Sequence, residues 1–167
     1  RANLWQAWNS DPRAALAELV SASRIFFGNH RDLSLLLGRE FAGDTPGQRT
    51  AAAQAAFTAF PTLELIASTS RHIVAAGHHR LAAHLDTRAD SWQTSEIEVT
   101  GIVDRIGTGD AFAAGVLHQH LAGLPLRAVA ESGLALAALK HGVSGDMIQA
   151  TSAEMDDFRA EGRDVRR

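Results

Sequence analysis

The sequence predicts an α/β fold in which a mostly parallel sheet is flanked by helices. Along the 167 residues, short apolar runs typical of buried strands alternate with segments whose apolar residues recur at helical spacing. Strands that alternate with helices favour parallel pairing, because a helix can make the crossover connection between parallel strands. Hydrophobic residues make up 46% of the chain and charged residues 21%, which is the composition of a folded domain. We expect a single domain over residues 1–167.

Charge and cysteine content exclude several classes of protein. The formal net charge of −3 provides no basic surface for nucleic acid, and no apolar run is long enough to span a membrane. The absence of cysteine excludes a disulfide scaffold and a thiolate metal site, and it fits a reducing compartment. We therefore expect a cytoplasmic protein that binds neither nucleic acid nor membranes. The chain opens with Arg1 and runs at once into a helix-like segment, so we expect it to be a fragment.

Capping signals predict the helices of the first part of the chain. Asp11-Pro12 has the pattern of an N-cap followed by proline at the first helical position. Residues 24–28 form a short apolar run ended by glycine, which predicts a buried strand, and residues 32–37 predict a short helix. Thr45-Pro46-Gly47-Gln48 has the spacing of a capping box and predicts an alanine-rich helix that a proline ends.

Four further segments have the patterns of strands. Residues 63–67 are apolar apart from Glu64, which makes them a buried-strand candidate, and residues 72–75 and 80–85 predict two strands joined by a turn at Gly77. Residues 95–99 alternate polar and apolar side chains, which is typical of a half-exposed strand.

Helices dominate the rest of the chain. Helical spacing predicts one helix over residues 110–121 and a second over residues 126–141. Because Gly133 and the alanines of the second helix are small, we expect another element to pack closely against it. Ser152 is expected to cap a last helix over residues 153–161.

The glycine-rich segment of residues 104–110 has the features of a ligand-binding loop. Its glycines allow the backbone to approach a ligand, and its amides can converge at a helix N-terminus, where an anion is favoured. Asp110 would repel a phosphate in that first turn, which indicates a different task, namely accepting a proton from an attacking hydroxyl group. That division of tasks suits phosphoryl transfer. The alternative is that Asp110 only caps the helix.

The run DRIGTGDAFAAG, residues 104–115, resembles the C-terminal signature of the PfkB/ribokinase family of carbohydrate kinases, D-T-x-G-A-G-D followed by a small-residue helix. Arg105 in place of threonine is typical of the family's 2-keto-3-deoxygluconate kinase branch, and Thr108 replaces the usual alanine. Four other segments resemble motifs of the family or that branch, in the same order: residues 1–5 (N-x-R-x-x-L-W), 28–32 (N-x-x-E), 69–71 (T-L-R) and 137–146 (A-A-L-K-H-S-x-P-G-D).

The resemblance implies a sugar kinase that uses ATP and Mg²⁺, with a ribokinase-like fold whose N-terminal half and lid are missing. It implies that Asp110 binds the substrate and takes the proton from a primary hydroxyl group of the sugar. The amides of Gly107, Thr108 and Gly109 are implied to form the anion hole for the transferred phosphoryl group.

The same resemblance implies the remaining ligand contacts. Nucleotide-binding roles fall on Asn29, Thr69, Arg71, Ala138 and His141, the last two beside the adenine ring. Arg1 is implied to bind polar groups of the substrate, and Asp32 to bind Mg²⁺ through water.

Several of these residues have structural alternatives. Asn29 is a common turn residue, and Asp32, one carbon shorter than the family's glutamate, can cap a helix instead of reaching a metal-bound water. Arg71 can form a surface ion pair. Arg105 can stabilise phosphate charge or pair with Asp104.

Histidines at 78, 79, 118 and 120 lack the spacing of a zinc site, and we expect them to be solvated. We expect packing roles for Trp5 and Trp8.

Three functional hypotheses follow. The first is an ATP-dependent kinase for 2-keto-3-deoxygluconate or a closely related sugar acid, and the second is a kinase for another substrate, such as fructose, ribose or a nucleoside. The third is a truncated nucleotide-binding module without catalytic activity, because family members are about twice as long and take most of their sugar site from the N-terminal half. A homo-oligomer formed through the missing lid is compatible with the first two.

Overall fold

The computed structural model describes Trp5 and residues 7–160, and the chain divides into two compact units. The first unit consists of the described residues up to Ser68 together with Asp86–Ser91. The second consists of Thr69–Leu85 and the described residues from Trp92 onward. Within the described part of the chain, no helix has both the length and the apolar character needed to cross a membrane.

Three helices of the first unit lie between Pro12 and Ala59. The first and the third begin where their caps predict, whereas the second begins at His30, two residues before the predicted start at residue 32, because Asn29 caps it. Helix α1 spans Pro12–Ser21, α2 spans His30–Leu37 and α3 spans Pro46–Ala59. The carboxylate of Asp11 accepts the Arg13 N–H at 2.9 Å. Thr45 and Gln48 form the expected capping box. Apolar residues of all three helices and of the segment that follows α3 meet in this unit's core, which contains Val20, Leu33, Leu36, Ala52, Ala53, Ala56, Phe57, Phe60, Leu63 and Ile66.

Strand β1, Ile25–Phe27, pairs in parallel with the start of strand β2, Leu65–Ala75. The register joins Ile25 to Leu65 and Phe27 to Ala67. This is the parallel arrangement that the alternation of strands and helices predicted.

Strand β2 continues into the second unit as one strand, where the sequence predicted two separate strands over residues 63–67 and 72–75. The polar residues 68–71 between those segments resemble a loop, but their backbone stays in the sheet while residues 69 and 71 are exposed. A strand with one solvated face does not need apolar side chains throughout.

The second unit also contains β3, His78–Thr87, up to Leu85, β4, Ser91–Gln93, from Trp92 onward, and all of β5, Ile97–Thr100. Strand β3 lies between β2 on one edge and β4 and β5 on the other, and β5 pairs with it in the antiparallel sense. The sheet is therefore mixed, and the expectation of mostly parallel pairing holds only for β1 and β2. The turn at Gly77 leaves too short a connection for a parallel crossover between β2 and β3.

Helices α4, Thr108–Leu121, α5, Leu126–His141, and α6, Ser152–Ala160, complete this unit. Thr151 rather than Ser152 caps α6, because its hydroxyl accepts the Glu154 N–H and the Glu154 carboxylate accepts the Thr151 N–H. The spacing Thr-x-x-Glu, a capping box, carried that information in the sequence.

The close packing expected at Gly133 is confirmed. A β-carbon added to Gly115 of α4 would lie 2.6 Å from the backbone oxygen of Ser132, and one added to Gly133 would lie 2.6 Å from the Val116 side chain. The two helices therefore touch through their backbones, which fixes α4 and the loop that precedes it. Trp5 and Trp8 pack edge to face with ring centroids 5.8 Å apart, in agreement with the packing role expected for them.

We predict that Gly115→Ala destabilises the protein by about 1–3 kcal/mol, because the backbone of α5 cannot yield to the added methyl group. Gly47→Ala is the matched control, since a β-carbon there meets nothing within 4 Å. The control should be neutral or stabilising by up to about 1 kcal/mol. Urea denaturation curves of the two variants measure the difference, and equal midpoints would contradict the proposed backbone contact.

Candidate functional site

The segment singled out by the sequence forms the start of α4. Gly107 is the N-cap residue, and the first intrahelical hydrogen bond runs from the Ala111 N–H to the Gly107 carbonyl at 2.9 Å. The amides of Thr108, Gly109 and Asp110 therefore have no hydrogen-bond acceptor within the helix. Thr108 donates to the Arg105 carbonyl, at 3.4 Å from its amide and 3.0 Å from its hydroxyl. The Asp110 side chain is exposed in this first turn.

Glycine is required at position 107 for two reasons. Its φ of 77° lies in the left-handed region, which strains other residues. A β-carbon there would lie 1.8 Å from the backbone oxygen of Asp146. Gly109 differs, because a β-carbon there meets nothing within 4 Å, so packing does not explain its glycine.

Asp104 joins the two loops that form this contact. One carboxylate oxygen accepts the Ile106 N–H at 3.0 Å, and the other accepts the Gly145 N–H at 3.1 Å. These hydrogen bonds, that from Ile106 first, hold the pKa of Asp104 below its ordinary value, and the charge of Lys140 lowers it further. Asp104 is therefore the ionised group that ties residues 104–107 to residue 145.

Two arginines line an open pocket of about 560 Å³ beside this loop. Arg71 comes from β2, and Arg105 comes from the segment of residues 102–106 that forms another wall. Neither arginine belongs to an ion pair in the part of the chain that the structure describes, including the pair between Arg105 and Asp104 considered from the sequence. Thr69 lies two residues before Arg71 on the same strand and is exposed. Another pocket of about 260 Å³, beside Trp92 and Arg127, contains none of the predicted site residues.

The residues expected beside an adenine ring are buried. Ala138 has no exposed surface and His141 is 3% exposed, both on α5. The His141 ring donates from Nδ1 to the Ala137 carbonyl at 2.7 Å. Their nucleotide-binding role stays a prediction.

His79 is a buried residue that the sequence analysis placed in solvent. It is 1% exposed, and its ring lies edge to face with that of His141, with centroids 6.2 Å apart. The prediction of a solvated His79 was wrong, because the face of β3 that carries His79 is covered at this position, whereas neighbouring His78 points outward to Glu98. Alternation along β3 supplied a signal, since Leu81, two residues on, is apolar and shares its face with His79.

Burial lowers the pKa of both histidines. For His79, the charges of Arg71, His141, Arg105 and His78 add to that effect. For His141, desolvation is again the largest cause, and the hydrogen bond to Ala137 opposes it. Both rings are therefore neutral near neutral pH.

Asn29 and Asp32, in the first unit, form the start of α2. The Asn29 side chain accepts the Arg31 N–H at 2.8 Å, and the Asp32 carboxylate accepts the Asn29 N–H at 2.8 Å. Both thus have the capping role that the sequence left open, and their roles toward nucleotide and Mg²⁺ stay predictions. Among the described residues, no group of three or more histidine or carboxylate side chains is arranged to hold a metal ion. Arg1 lies outside the described residues.

The family is identified by a direct match. The model of the pfkB family carbohydrate kinase matches residues 3–153. Because this match covers most of the chain, the chain belongs to that family, and the resemblance inferred from the motifs is confirmed.

The chain is also similar to one relative with a named activity. The 2-dehydro-3-deoxygalactonokinase of Haloferax volcanii is 32% identical over 157 residues, which cover 93% of this chain and 43% of the relative. The chain therefore spans less than half the length of this relative.

Three solved structures share the fold. A PfkB family carbohydrate kinase from Listeria grayi is 30% identical with a TM-score of 0.83, over 96% of this chain and 48% of the other. A 2-dehydro-3-deoxygluconokinase from Thermotoga maritima, 21% identical, has a TM-score of 0.82 over 89% of this chain and 45% of the other. An Escherichia coli chain described as a ribokinase II in complex with ATP and Mg²⁺ is 17% identical with a TM-score of 0.70, over 96% of this chain and 46% of the other. The ribokinase-like α/β fold is confirmed.

We predict that acid lowers the stability of the protein through the two buried histidines. Their pKa values are lowered in the folded state, so below about pH 6.5 the unfolded chain binds protons that the folded chain does not. The free energy of unfolding should then fall by up to about 1.4 kcal/mol per pH unit for each histidine, until the pH reaches its folded pKa.

Urea denaturation of the wild type and of His79→Phe between about pH 7.5 and pH 5 measures this slope. The variant should lose part of the slope, whereas His118→Phe, at an exposed histidine of α4, should keep it. The same slope in wild type and His79→Phe would show that His79 does not contribute.

Proposed function

We propose that the protein containing this chain is an ATP-dependent kinase of a sugar acid, and that Asp110 is its catalytic base. The observation that carries the proposal is an exposed carboxylate in the first turn of α4, among amides that have no intrahelical acceptor. Amides at a helix start attract an anion, whereas the carboxylate repels one. The two together suit a reaction in which a hydroxyl group loses its proton while a phosphoryl group is transferred.

The loop has the properties of an anion hole. Gly107 and Asp104 hold its backbone in one conformation through contacts with residues 145–146. Gly109 leaves space in front of the amides, and no packing contact accounts for its lack of a side chain. A preorganised set of donors stabilises developing charge because it does not have to reorient during the reaction. The amides of Gly107, Thr108 and Gly109 are assigned this role.

The residues beside the loop fit a nucleotide polyphosphate with its Mg²⁺. Arg71 and Arg105 present to the same pocket two guanidinium groups that have no ion-pair partner among the described residues. A polyphosphate can pair with both guanidinium groups, because the carboxylate of Asp104 in the same pocket is bound to backbone amides, and Mg²⁺ neutralises part of the charge that develops during transfer. Thr69, exposed two residues before Arg71 on β2, and Asn29 are assigned to the nucleotide by resemblance, and Asp32 is assigned to Mg²⁺ in the same way.

The substrate class follows from the sequence of the loop and from the relatives. Arg105 and the segment Lys140-His141 resemble the 2-keto-3-deoxygluconate kinase branch, and the Haloferax relative bears the name of a 2-dehydro-3-deoxygalactonate kinase. Both substrates are 2-keto-3-deoxy sugar acids. We infer that this protein phosphorylates a hydroxyl group of a sugar acid of this kind, most simply 2-keto-3-deoxygluconate.

A second candidate function is a nucleotide-binding module that phosphorylates nothing. It is favoured by one observation, the length of the chain, which covers 43–48% of the relative and of the structures described above. A site without the remaining half lacks groups to position the sugar and exclude water.

We predict that Asp110→Asn in the full-length protein lowers kcat about 100-fold or more, because the amide cannot accept the hydroxyl proton. The affinity for Mg-ATP should stay close to that of the wild type. Asp157→Asn, which changes an exposed carboxylate of α6 in the same way, should leave kcat unchanged. A coupled assay of ADP release with 2-keto-3-deoxygluconate measures both variants, and an Asp110→Asn enzyme with most of the wild-type kcat would refute the base assignment.

We also predict that the isolated chain of residues 1–167 binds ATP weakly and has no measurable sugar-dependent turnover. Titration calorimetry measures the first property and the ADP-release assay the second. Sugar-dependent ADP release from the isolated chain would contradict the need for a further part of the protein.

A further inference from the structure

His79 is buried beside the candidate site, and no motif of the family drew attention to it. It lies in β3 opposite Val99 of β5, and its ring packs edge to face against His141. Its Nδ1 atom is buried and has no hydrogen-bond partner among the described residues. A buried polar atom without a partner costs free energy, so a packing role alone favours an apolar residue here.

The residue that His79 touches holds the loop of the candidate site. The backbone carbonyl of His141 accepts the Val103 N–H at 2.8 Å and the Asp104 N–H at 3.3 Å. The carboxylate of Asp104 in turn holds Ile106 and Gly145, next to the Gly107 contact. A displacement of His141 therefore moves the start of the loop directly. The ring of His141 is fixed on one side by its hydrogen bond to Ala137 and on the other by His79.

The groups around the two rings favour their neutral forms. Every charged or titratable group that lowers the pKa of either ring is cationic or becomes so on protonation: Arg71, His78, Lys140, His141 and Arg105. No carboxylate offsets them in these interactions. A proton added to either ring thus meets repulsion from the two arginines that line the loop pocket.

We propose that His79 is a positioning residue of the nucleotide site: its neutral ring holds His141, and through the His141 carbonyl it holds residues 103–107 in the conformation that binds the nucleotide phosphates. The inference rests on the proposed kinase function for the identity of the ligand. His79 acts through His141 and through the loop backbone. Protonation of the pair loosens this contact, so nucleotide affinity falls with decreasing pH.

The test is the affinity of the full-length protein for Mg-ATP, measured by titration calorimetry without sugar. His79→Ala removes the ring and should weaken binding at least about tenfold, because small displacements of a binding loop have large effects. His79→Phe keeps a flat ring against His141 and should restore affinity close to that of the wild type. His78→Ala is the matched control, since this neighbouring side chain faces Glu98 at the surface and should have no effect.

The pH dependence of Mg-ATP affinity distinguishes a positioning role of His79 from a role in overall stability. Wild-type affinity for Mg-ATP should be constant near neutral pH and fall as the pH decreases below about 6.5, because the pKa of both rings is lowered from the ordinary histidine value. His79→Phe cannot be protonated and should show a weaker fall. The measurements are made on protein that is folded by circular dichroism, so a loss of stability alone does not lower affinity. If His79→Ala does not fold, the pH dependence of Mg-ATP affinity in His79→Phe still tests the proposal.

Two outcomes overturn the proposal. One is unchanged Mg-ATP affinity in folded His79→Ala, and the other is a pH profile of His79→Phe identical to that of the wild type. Failure of the kinase function is distinguishable, because it appears as a lack of sugar-dependent ADP release in the wild type while Mg-ATP binding still reports on His79. A wild-type protein that binds no Mg-ATP at all overturns both.

Discussion

The carboxylate of Asp104 joins the two loops on which the candidate site depends. It accepts the amides of Ile106 and Gly145, which lie 39 residues apart (145 − 106), and holds the backbone of Gly107 against that of Asp146. The contact between Gly107 and the Asp146 carbonyl leaves no room for a side chain, so the position of α4 follows from it. Asp110, one turn further, takes its place from the same contact. A group whose pKa is held low by three amide donors stays ionised over the physiological range, which makes this link insensitive to ordinary changes in pH.

The packing of α4 on α5 provides the second constraint. At Gly115 the backbone of α4 contacts the backbone of α5, and at Gly133 the backbone of α5 contacts the Val116 side chain of α4. Neither helix can therefore slide along the other without a clash. The loop before α4 and the loop after α5 are thereby brought together, and these are the loops that Asp104 joins. The close packing at these glycines and the hydrogen bonds of the Asp104 carboxylate thus both hold these two loops together.

The charged groups that lower the pKa of the two buried histidines are cationic. Arg71 and Arg105 are without ion pairs in the described chain, while His79 and His141 are buried and neutral beside them. A nucleotide polyphosphate complements this arrangement, and the neutral histidines avoid further repulsion next to the arginines. The link from His79 through the His141 carbonyl to Asp104 connects the interior of the sheet directly to the loop of the candidate site.

Local signals in the sequence determined several helix starts and marked the glycine-rich loop that we propose as the anion hole. Asp11, the Thr45–Gln48 box and the Gly-Thr-Gly-Asp run act over three or four residues, and the structure has them where the sequence indicated. The partners of Asp104 and the burial of His79 were decided only by tertiary structure. Asp104 and Gly145 are 41 residues apart, and no spacing rule relates a carboxylate to an amide at that distance along the chain. His79 is a polar residue beside a turn, and it becomes buried because α5 brings His141 to its face of β3. Contacts within one turn of helix are encoded locally, whereas contacts between distant segments exist only once the chain has folded.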